Sequence, residues 1–336
     1  MNSWSELVQA SNYTLLSSQS DAIDESTLLL CPLDHKSALE VIGPDSKSFL
    51  QGQLSCDLDE VSDTQWRLGA HCNHKGRMLS SFRASALGEE HIRLILRHNI
   101  SENAHKALAK YAIFSKAELS VNSDLLGLGL SGTNAENQLQ AWQLPRPKDG
   151  QCAEHNGVQI LNISGDRFEI WTDSERMKNL LDQLKSEPLL VDNAYWRLLD
   201  IRAGIAEIEA GVEESIIPQM LNFNELDGIN YQKGCYTGQE IIARMQYRGN
   251  LKRHTVRLLN KADNADDFDS TSLKSGAELF CADSKQAVGE LVNIAISSEG
   301  IEALAVIKDD AAEKALALSP DGPWNFTVEP LPYAIT

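Results

Sequence analysis

Between Gln65 and His98 the chain runs through three short apolar-alternating segments, parted only by Asn73-His74-Lys75-Gly76 and by Gly88-Glu89-Glu90. Segments with that period read as strands, and turns this short join antiparallel neighbours. Helical periodicity flanks them. Asp45 to Leu50 reads as a short helix set by the Gly43-Pro44-Asp45 break, and Ser101 to Ala112 as a longer one carrying Ala104, Leu108 and Tyr111 on one face. Strands mixed with helices and joined by tight antiparallel turns argue for an α+β fold rather than a doubly wound parallel sheet.

The same alternation returns further on. Leu125 to Leu130 has the apolar density of a buried strand, Thr133 to Trp142 is helical, and Val158–Ile163 with Phe168–Trp171 forms a hairpin around Ser164-Gly165-Asp166. Ser174 to Leu184 is helical, and Asp192 caps a helix that reaches about Arg202 and stops at Gly204. Beyond Leu251 short strands dominate (His254–Leu259, Ala277–Cys281, Ala287–Ile296, Ile301–Lys308, Phe326–Glu329), with a weak helical stretch near Asp309–Leu316. That spacing suits a small β-barrel or sandwich. The expected organisation is a loose leader over 1–27, an N-terminal α+β domain over 28–122, a second α+β region over 123–250 and a C-terminal β-barrel over 251–336. Strand-like runs at 28–30 and 38–42 open the first domain.

Composition bounds the function. Thirty Lys and Arg stand against 48 Asp and Glu, a formal charge of −18. Such a surface repels phosphate backbones, so generic nucleic-acid binding through a basic face is not expected, whereas an anionic small molecule needs a locally positive pocket. No stretch has the roughly 18 apolar residues of a membrane span, and the polar start from Met1 to Ser20 is not a secretory signal. Cys31, Cys56, Cys72, Cys152, Cys235 and Cys281 show no short-range framework and are expected as reduced thiols in a cytoplasmic protein.

Two motifs invite chemistry and fail on context. Gly127-Leu128-Gly129-Leu130-Ser131-Gly132 matches a dinucleotide fingerprint, but the interval where a second strand and its acidic end belong holds Pro145 to Gly150. A glycine-rich buried strand is the better reading. His71-Cys72-Asn73-His74 offers three ligand types without the second cluster that a closed zinc site requires, so no metal site is expected. The acidic run Asp263 to Asp269 lacks the glycine and terminal Glu of a calcium loop and reads as a solvated linker.

The informative segment is Lys233-Gly234-Cys235-Tyr236-Thr237-Gly238-Gln239-Glu240. Thr237 and Glu240 have capping-box spacing, which puts a helix start at Thr237, and Glu240 and Arg244 sit at i,i+4. Ile241 and Met245 fall on the face expected inward. Cys235 then stands on a turn that Gly234 makes tight, two residues before free helix-start amides and close to the Lys233 ammonium, both of which favour a thiolate. A structural thiol packed under a glycine turn is the competing reading. Trp196 lies on one helical stripe with Leu199 and Ala203; it is either core or a ligand platform whose open face is left by Gly204 and the loop Ile217-Pro218-Gln219.

The Cys235 segment resembles the signature of the YgfZ family of folate-binding proteins linked to tRNA modification and iron–sulfur enzyme maintenance. Five more blocks are similar in order: Gly43-Pro44-Asp45-Ser46 with Phe49 to Leu54, Ala70 to Met78, Lys110 to Lys116, Ile217-Pro218-Gln219, and the ending Glu329-Pro330-Leu331-Pro332-Tyr333. The resemblance covers residues 28 to 334. It implies a three-domain ring like that of the glycine cleavage aminomethyltransferases, with a central pocket for tetrahydrofolate or a one-carbon derivative. It also implies that Trp196 contacts folate, that a second contacting aromatic falls near Lys36, where this chain has His35 and Lys36 instead, and that Arg202, Arg244 or Lys36 meets the glutamate tail, with Cys235 as the functional thiol and Lys233 beside it. Where the aminomethyltransferases carry an acidic pair, this chain has Ser80 and Ser81, and serine cannot replace a carboxylate as general acid or base. The function implied is therefore an accessory factor for iron–sulfur proteins such as radical-SAM tRNA-modifying enzymes, reaching tRNA only indirectly and using no membrane. The alternative is a tetrahydrofolate-dependent one-carbon transferase.

Overall fold

The computed structural model describes residues 4, 15–20, 23–24, 27–184, 188–261, 272–323 and 325–335. Most of the leader expected at 1–27 and the acidic run Asp263–Asp269 lie outside the described residues. The strands are β1 (Leu15–Leu16), β2 (Leu29–Pro32), β3 (Lys36–Ile42), β4 (Arg67–Cys72), β5 (Met78–Ala86), β6 (His91–Arg97), β7 (Glu118–Asn122), β8 (Leu125–Ser131) and β9 (Cys152–His155). They continue with β10 (Val158–Ser164), β11 (Arg167–Asp173), β12 (Leu189–Val191), β13 (Arg253–Lys261), β14 (Glu278–Cys281), β15 (Ser284–Ser297), β16 (Gly300–Lys308), β17 (Leu316–Ala317) and β18 (Thr327–Glu329). The helices are α1 (Ser46–Gln51), α2 (His98–Ala109), α3 (Ala135–Ala141), α4 (Ser174–Asp182), α5 (Asn193–Arg202) and α6 (Gln239–Arg248).

Packing divides the chain into two units, the first built from residues 1–51, 57–67 and 82–196, the second from 52–56, 68–81 and 197–336. In the first, a seven-stranded sheet runs β1-β12-β2-β8-β11-β10-β9, antiparallel except where β12 meets β1 and β2. Strand alternation sorts β11 onto two faces. Phe168 and Ile170 join Leu128, Leu130, Ile160, Met177 and Trp142 in an apolar core. Each such side chain, fully buried, stabilises the fold by roughly 1.5–3 kcal/mol. Arg167, Glu169 and Trp171 take the other face and are buried too.

The glycines of the failed dinucleotide pattern act here. In the β8–β11 register Gly127 lies opposite Trp171 and Gly129 opposite Glu169. A Cβ on Gly127 would come within 2.5 Å of the Trp171 ring, and one on Gly129 within 2.5 Å of Trp196. The pattern is a buried strand whose missing side chains make room for two indoles. The first unit also holds a smaller antiparallel array in which β5, from Phe82 on, β6, β3 and β7 follow one another. Asp192 caps α5 as expected, its carboxylate accepting from the Tyr195 amide at 3.1 Å.

In the second unit the turn Asn73–Gly76 closes a hairpin between β4 and the start of β5. The Asn73 amide donates to the Arg77 carbonyl at 2.8 Å, and the Gly76 amide to the Asn73 carbonyl at 2.9 Å, with Gly76 at φ +70°. The expected C-terminal strands form a six-stranded sheet, β17-β14-β15-β16-β13-β18. Leu316 at one edge bridges Phe326 beside the other, so the sheet curls around Leu258, Leu279, Leu291, Ile301, Ala305, Ile307 and Phe326. The helical stretch expected near Asp309–Leu316 is a single turn, Asp309–Ala311. Among the described residues no helix is long and apolar enough to cross a membrane.

Candidate functional site around an exposed thiol

The segment from Lys233 to Gly238 is held in the second unit on both sides of Gly234 and Cys235. Lys233 is buried. Its ammonium donates to the Leu54 carbonyl at 2.8 Å and the Cys56 carbonyl at 2.6 Å, and its amide to the Asn230 side chain at 2.9 Å. The same ammonium lies 5.1 Å from the Tyr236 ring centroid, within reach of a cation–π contact. Tyr236 is itself buried with no hydrogen-bond partner for its hydroxyl; burial first, then the nearby Cys72, Tyr231 and Cys56, push that hydroxyl far above the usual phenol range. The Thr237 amide donates to Gly52 at 3.2 Å and its hydroxyl to the Gln53 side chain at 3.2 Å. Gly234 and Cys235 are exposed between these anchors.

Cys235 is the exposed thiol of the six; the other five are buried. Burial pushes the Cys31 and Cys72 thiols well up, and burial with the Asp63 charge takes Cys152 to about 12, so these stay protonated at neutral pH. Cys31 and Cys281 are buried in strands, as their apolar contexts imply.

The local reading needs five corrections. The helix begins at Gln239, not Thr237: Gly238 is its N-cap and makes no side-chain cap, so the capping box does not form. Gly238 sits at φ +84°, where a Cβ would meet the Asn73 carbonyl at 2.6 Å and the Gly76 Cα at 3.1 Å. The tight glycine is therefore Gly238 rather than Gly234, and it lets this turn nest on the Asn73–Gly76 turn. Glu240 and Arg244 form no ion pair, and Ile242 rather than Ile241 or Met245 is the fully buried side chain of α6. Lys233 directs its charge to two carbonyls, which makes it an anchor of the turn.

The residues carried over for folate are engaged elsewhere. Trp196 is 1% exposed; its ring rests against Gly129, the Arg167 guanidinium lies 5.0 Å from its centroid, and its N–H donates to Glu169 at 3.3 Å. The open ring face expected for Trp196 is absent. The Lys36 ammonium is 3.0 Å from Glu169, with neither side chain exposed. Lys36 borders a cavity of about 630 Å³ that Asp34, Ser37, His98, Asn122 and Gly127 also line, yet its charge is turned to the carboxylate. Arg202 donates through Nε and Nη2 to Glu302 at 2.9 and 2.7 Å. Arg244 is exposed, with no partner among the described residues. As they stand, Trp196, Lys36 and Arg202 do not fit a reduced folate: two have no free surface, and the third is neutralised.

The sequence reading missed the group that organises these side chains. Glu169 is wholly buried and accepts from Lys36, from Arg83 at 3.2 Å, and from the indole N–H groups of Trp171 and Trp196, each at 3.3 Å. A carboxylate flanked by Phe168 and Ile170 in an alternating strand was a visible signal that the opposite face is buried and polar. His71 was noticed only as a metal candidate. Both its ring nitrogens are buried without a partner, and burial lowers its pKa to about 4, so the ring is neutral. No cluster of three possible metal ligands occurs among the described residues.

The three sheets and their helices have an aminomethyltransferase-like fold. The structure is similar to glycine cleavage system aminomethyltransferase T from Bartonella henselae, with a TM-score of 0.69 at 20% identity, covering 86% of this chain and 80% of that one. No family model matches. The sequence is 34% identical over 313 residues to the tRNA-modifying protein YgfZ of Pectobacterium carotovorum subsp. carotovorum, covering 91% of this chain and 92% of that protein. It is 32% identical over 317 residues to the protein of the same name from Yersinia enterocolitica, covering 93% and 94%. The chain belongs to the YgfZ family of tRNA-modifying proteins.

Proposed function

We propose that this protein is an accessory factor in tRNA modification that maintains iron–sulfur enzymes through the Cys235 thiol, with tetrahydrofolate as its small-molecule ligand. The observation that carries the reading is Cys235 itself, exposed on a turn whose neighbours Lys233, Tyr236, Thr237 and Gly238 are all anchored. A thiol fixed outward in this way is placed to meet a group on another macromolecule. Its immediate clients are radical-SAM enzymes that modify tRNA, so tRNA is reached through them, and the setting is cytoplasmic.

Folate enters by family resemblance. No step is drawn through it, because Trp196, Lys36 and Arg202 are engaged by Arg167, Glu169 and Glu302. Calorimetry tests it apart from the thiol: uptake of tetrahydrofolate at micromolar concentration supports the ligand, and a flat titration removes it while leaving the thiol reading intact. The one-carbon transferase alternative lacks its carboxylates. Ser80 and Ser81 are buried, and the Ser81 hydroxyl already accepts from the Ile208 amide at 2.8 Å.

The experiment for the central reading replaces Cys235 by Ser in cells that carry no other copy. Iron–sulfur enzyme activity in their extracts is expected to fall to the level without the protein, while soluble yield is unchanged. Full activity overturns the thiol reading.

A further inference from the structure

The charge of this chain is unevenly placed. From Ile241 to Ala262 there are six Lys and Arg and no Asp or Glu, in a protein whose formal charge is −18. Arg257 is accounted for by Glu302, at 2.8 Å. Arg244, Arg248, Lys252 and Arg253 have no ion-pair partner among the described residues, and the first three are exposed. Tyr247 stands among them, 70% exposed, with Tyr231 packed edge-on at 6.1 Å between centroids. Arg244, Tyr247 and Arg248 line a shallow cleft of about 400 Å³ with Ala243 and Glu240. The helix carrying this face starts at Gln239, a few residues after the exposed thiol.

Unpaired cations around an exposed tyrosine have the composition of an interface centre, where Arg and Tyr are enriched and supply most of the energy. Charge complementarity selects the partner. An RNA would extend a long polyanion over a surface that is otherwise strongly negative, beyond the roughly 8 Å reach of local screening. A short acidic protein segment matches the patch in extent and meets no such penalty. We propose that the face of α6 bearing Arg244, Tyr247 and Arg248, continued by Lys252 and Arg253, docks an acidic segment of the client protein and so brings that protein to Cys235. This rests on the reading of Cys235 as the working thiol and adds how the client is recognised. Arg244, carried over by resemblance as a folate contact, is assigned here to protein recognition.

The test measures fluorescence anisotropy of a labelled Glu-rich peptide containing leucine and lacking any thiol-reactive group. The full-length protein is expected to bind it at micromolar concentration, with affinity falling as salt rises from about 50 to about 300 mM. Arg244→Glu/Arg248→Glu should weaken binding by about tenfold or more, and Tyr247→Ala by several-fold, with unchanged circular dichroism. No binding at low salt, or binding that these variants leave unaltered, overturns the proposal. So does tighter binding, through the same residues, of a single-stranded RNA of equal charge. Because the peptide offers nothing to a thiol, failure here leaves the thiol reading standing, and failure of the Cys235→Ser assay leaves this measurement unaffected.

Discussion

Replacing Glu169 by Gln tests whether a single buried carboxylate holds the first unit's polar core. Glu169 accepts from two cations, Lys36 at 3.0 Å and Arg83 at 3.2 Å, and from two indole N–H groups at 3.3 Å, with no exposed surface on the Lys36 or Glu169 side chains. The amide keeps the shape and one acceptor oxygen but removes the charge that balances both cations. Breaking a buried pair from one side costs about 3–5 kcal/mol, because the partner is left charged and desolvated. Lys36→Met should cost less, about 1–2 kcal/mol, since Glu169 keeps Arg83 and both indoles. The double variant should be less damaged than the sum, with a coupling of about 1 kcal/mol or more. Urea unfolding followed by far-ultraviolet circular dichroism measures all three. A Glu169→Gln cost below about 1 kcal/mol, or strict additivity with Lys36→Met, would refute the keystone role.

Three further outcomes follow from the same geometry. The His71 pKa is lowered to about 4 by burial, so the folded state resists a proton that the unfolded chain accepts below 6.5; stability should be complete above pH 6.5 and decline as pH falls toward 4, by about 2 kcal/mol at pH 5. His71→Leu should flatten that window in urea midpoints compared at pH 7 and pH 5, and an unchanged slope would show that His71 is solvated. Gly238→Ala forces a Cβ against the Asn73 carbonyl at 2.6 Å in a left-handed backbone, and should lower the unfolding midpoint by at least about 1 kcal/mol along with function in cells. Lys233→Met leaves the Leu54 and Cys56 carbonyls without their shared donor; a loss of about 1–3 kcal/mol and faster proteolysis near Cys235 are expected, and resistance equal to wild type would deny the anchor.

What could be read from the residues is what short-range pattern controls. Alternation placed β10, β11 and the strands after Leu251, and the missing second strand correctly turned Gly127 and Gly129 from a phosphate loop into a buried strand. The turn placement of Cys235 was legible, whereas the exposure of its thiol is shown by the structure alone. Long-range approach decided what was missed. Nothing local to Trp196 announces that Gly129 and Arg167 will close around it, and Arg202 finds Glu302 across 100 residues of sequence. Thr237 and Glu240 have the spacing of a cap, yet nesting of Gly238 on the Asn73–Gly76 turn moves the helix start past them. Local signals name an element's type; its partners set where it begins and which faces close.

The working role of Cys235 is tested most directly by quantifying modified tRNA nucleosides, by mass spectrometry, in cells whose sole copy is wild type, Cys235→Ser or the buried-thiol control Cys281→Ser. Cys235→Ser is expected to match cells lacking the protein and Cys281→Ser to match wild type. Wild-type modification in the Cys235→Ser cells, with the protein present at normal level, would contradict that role.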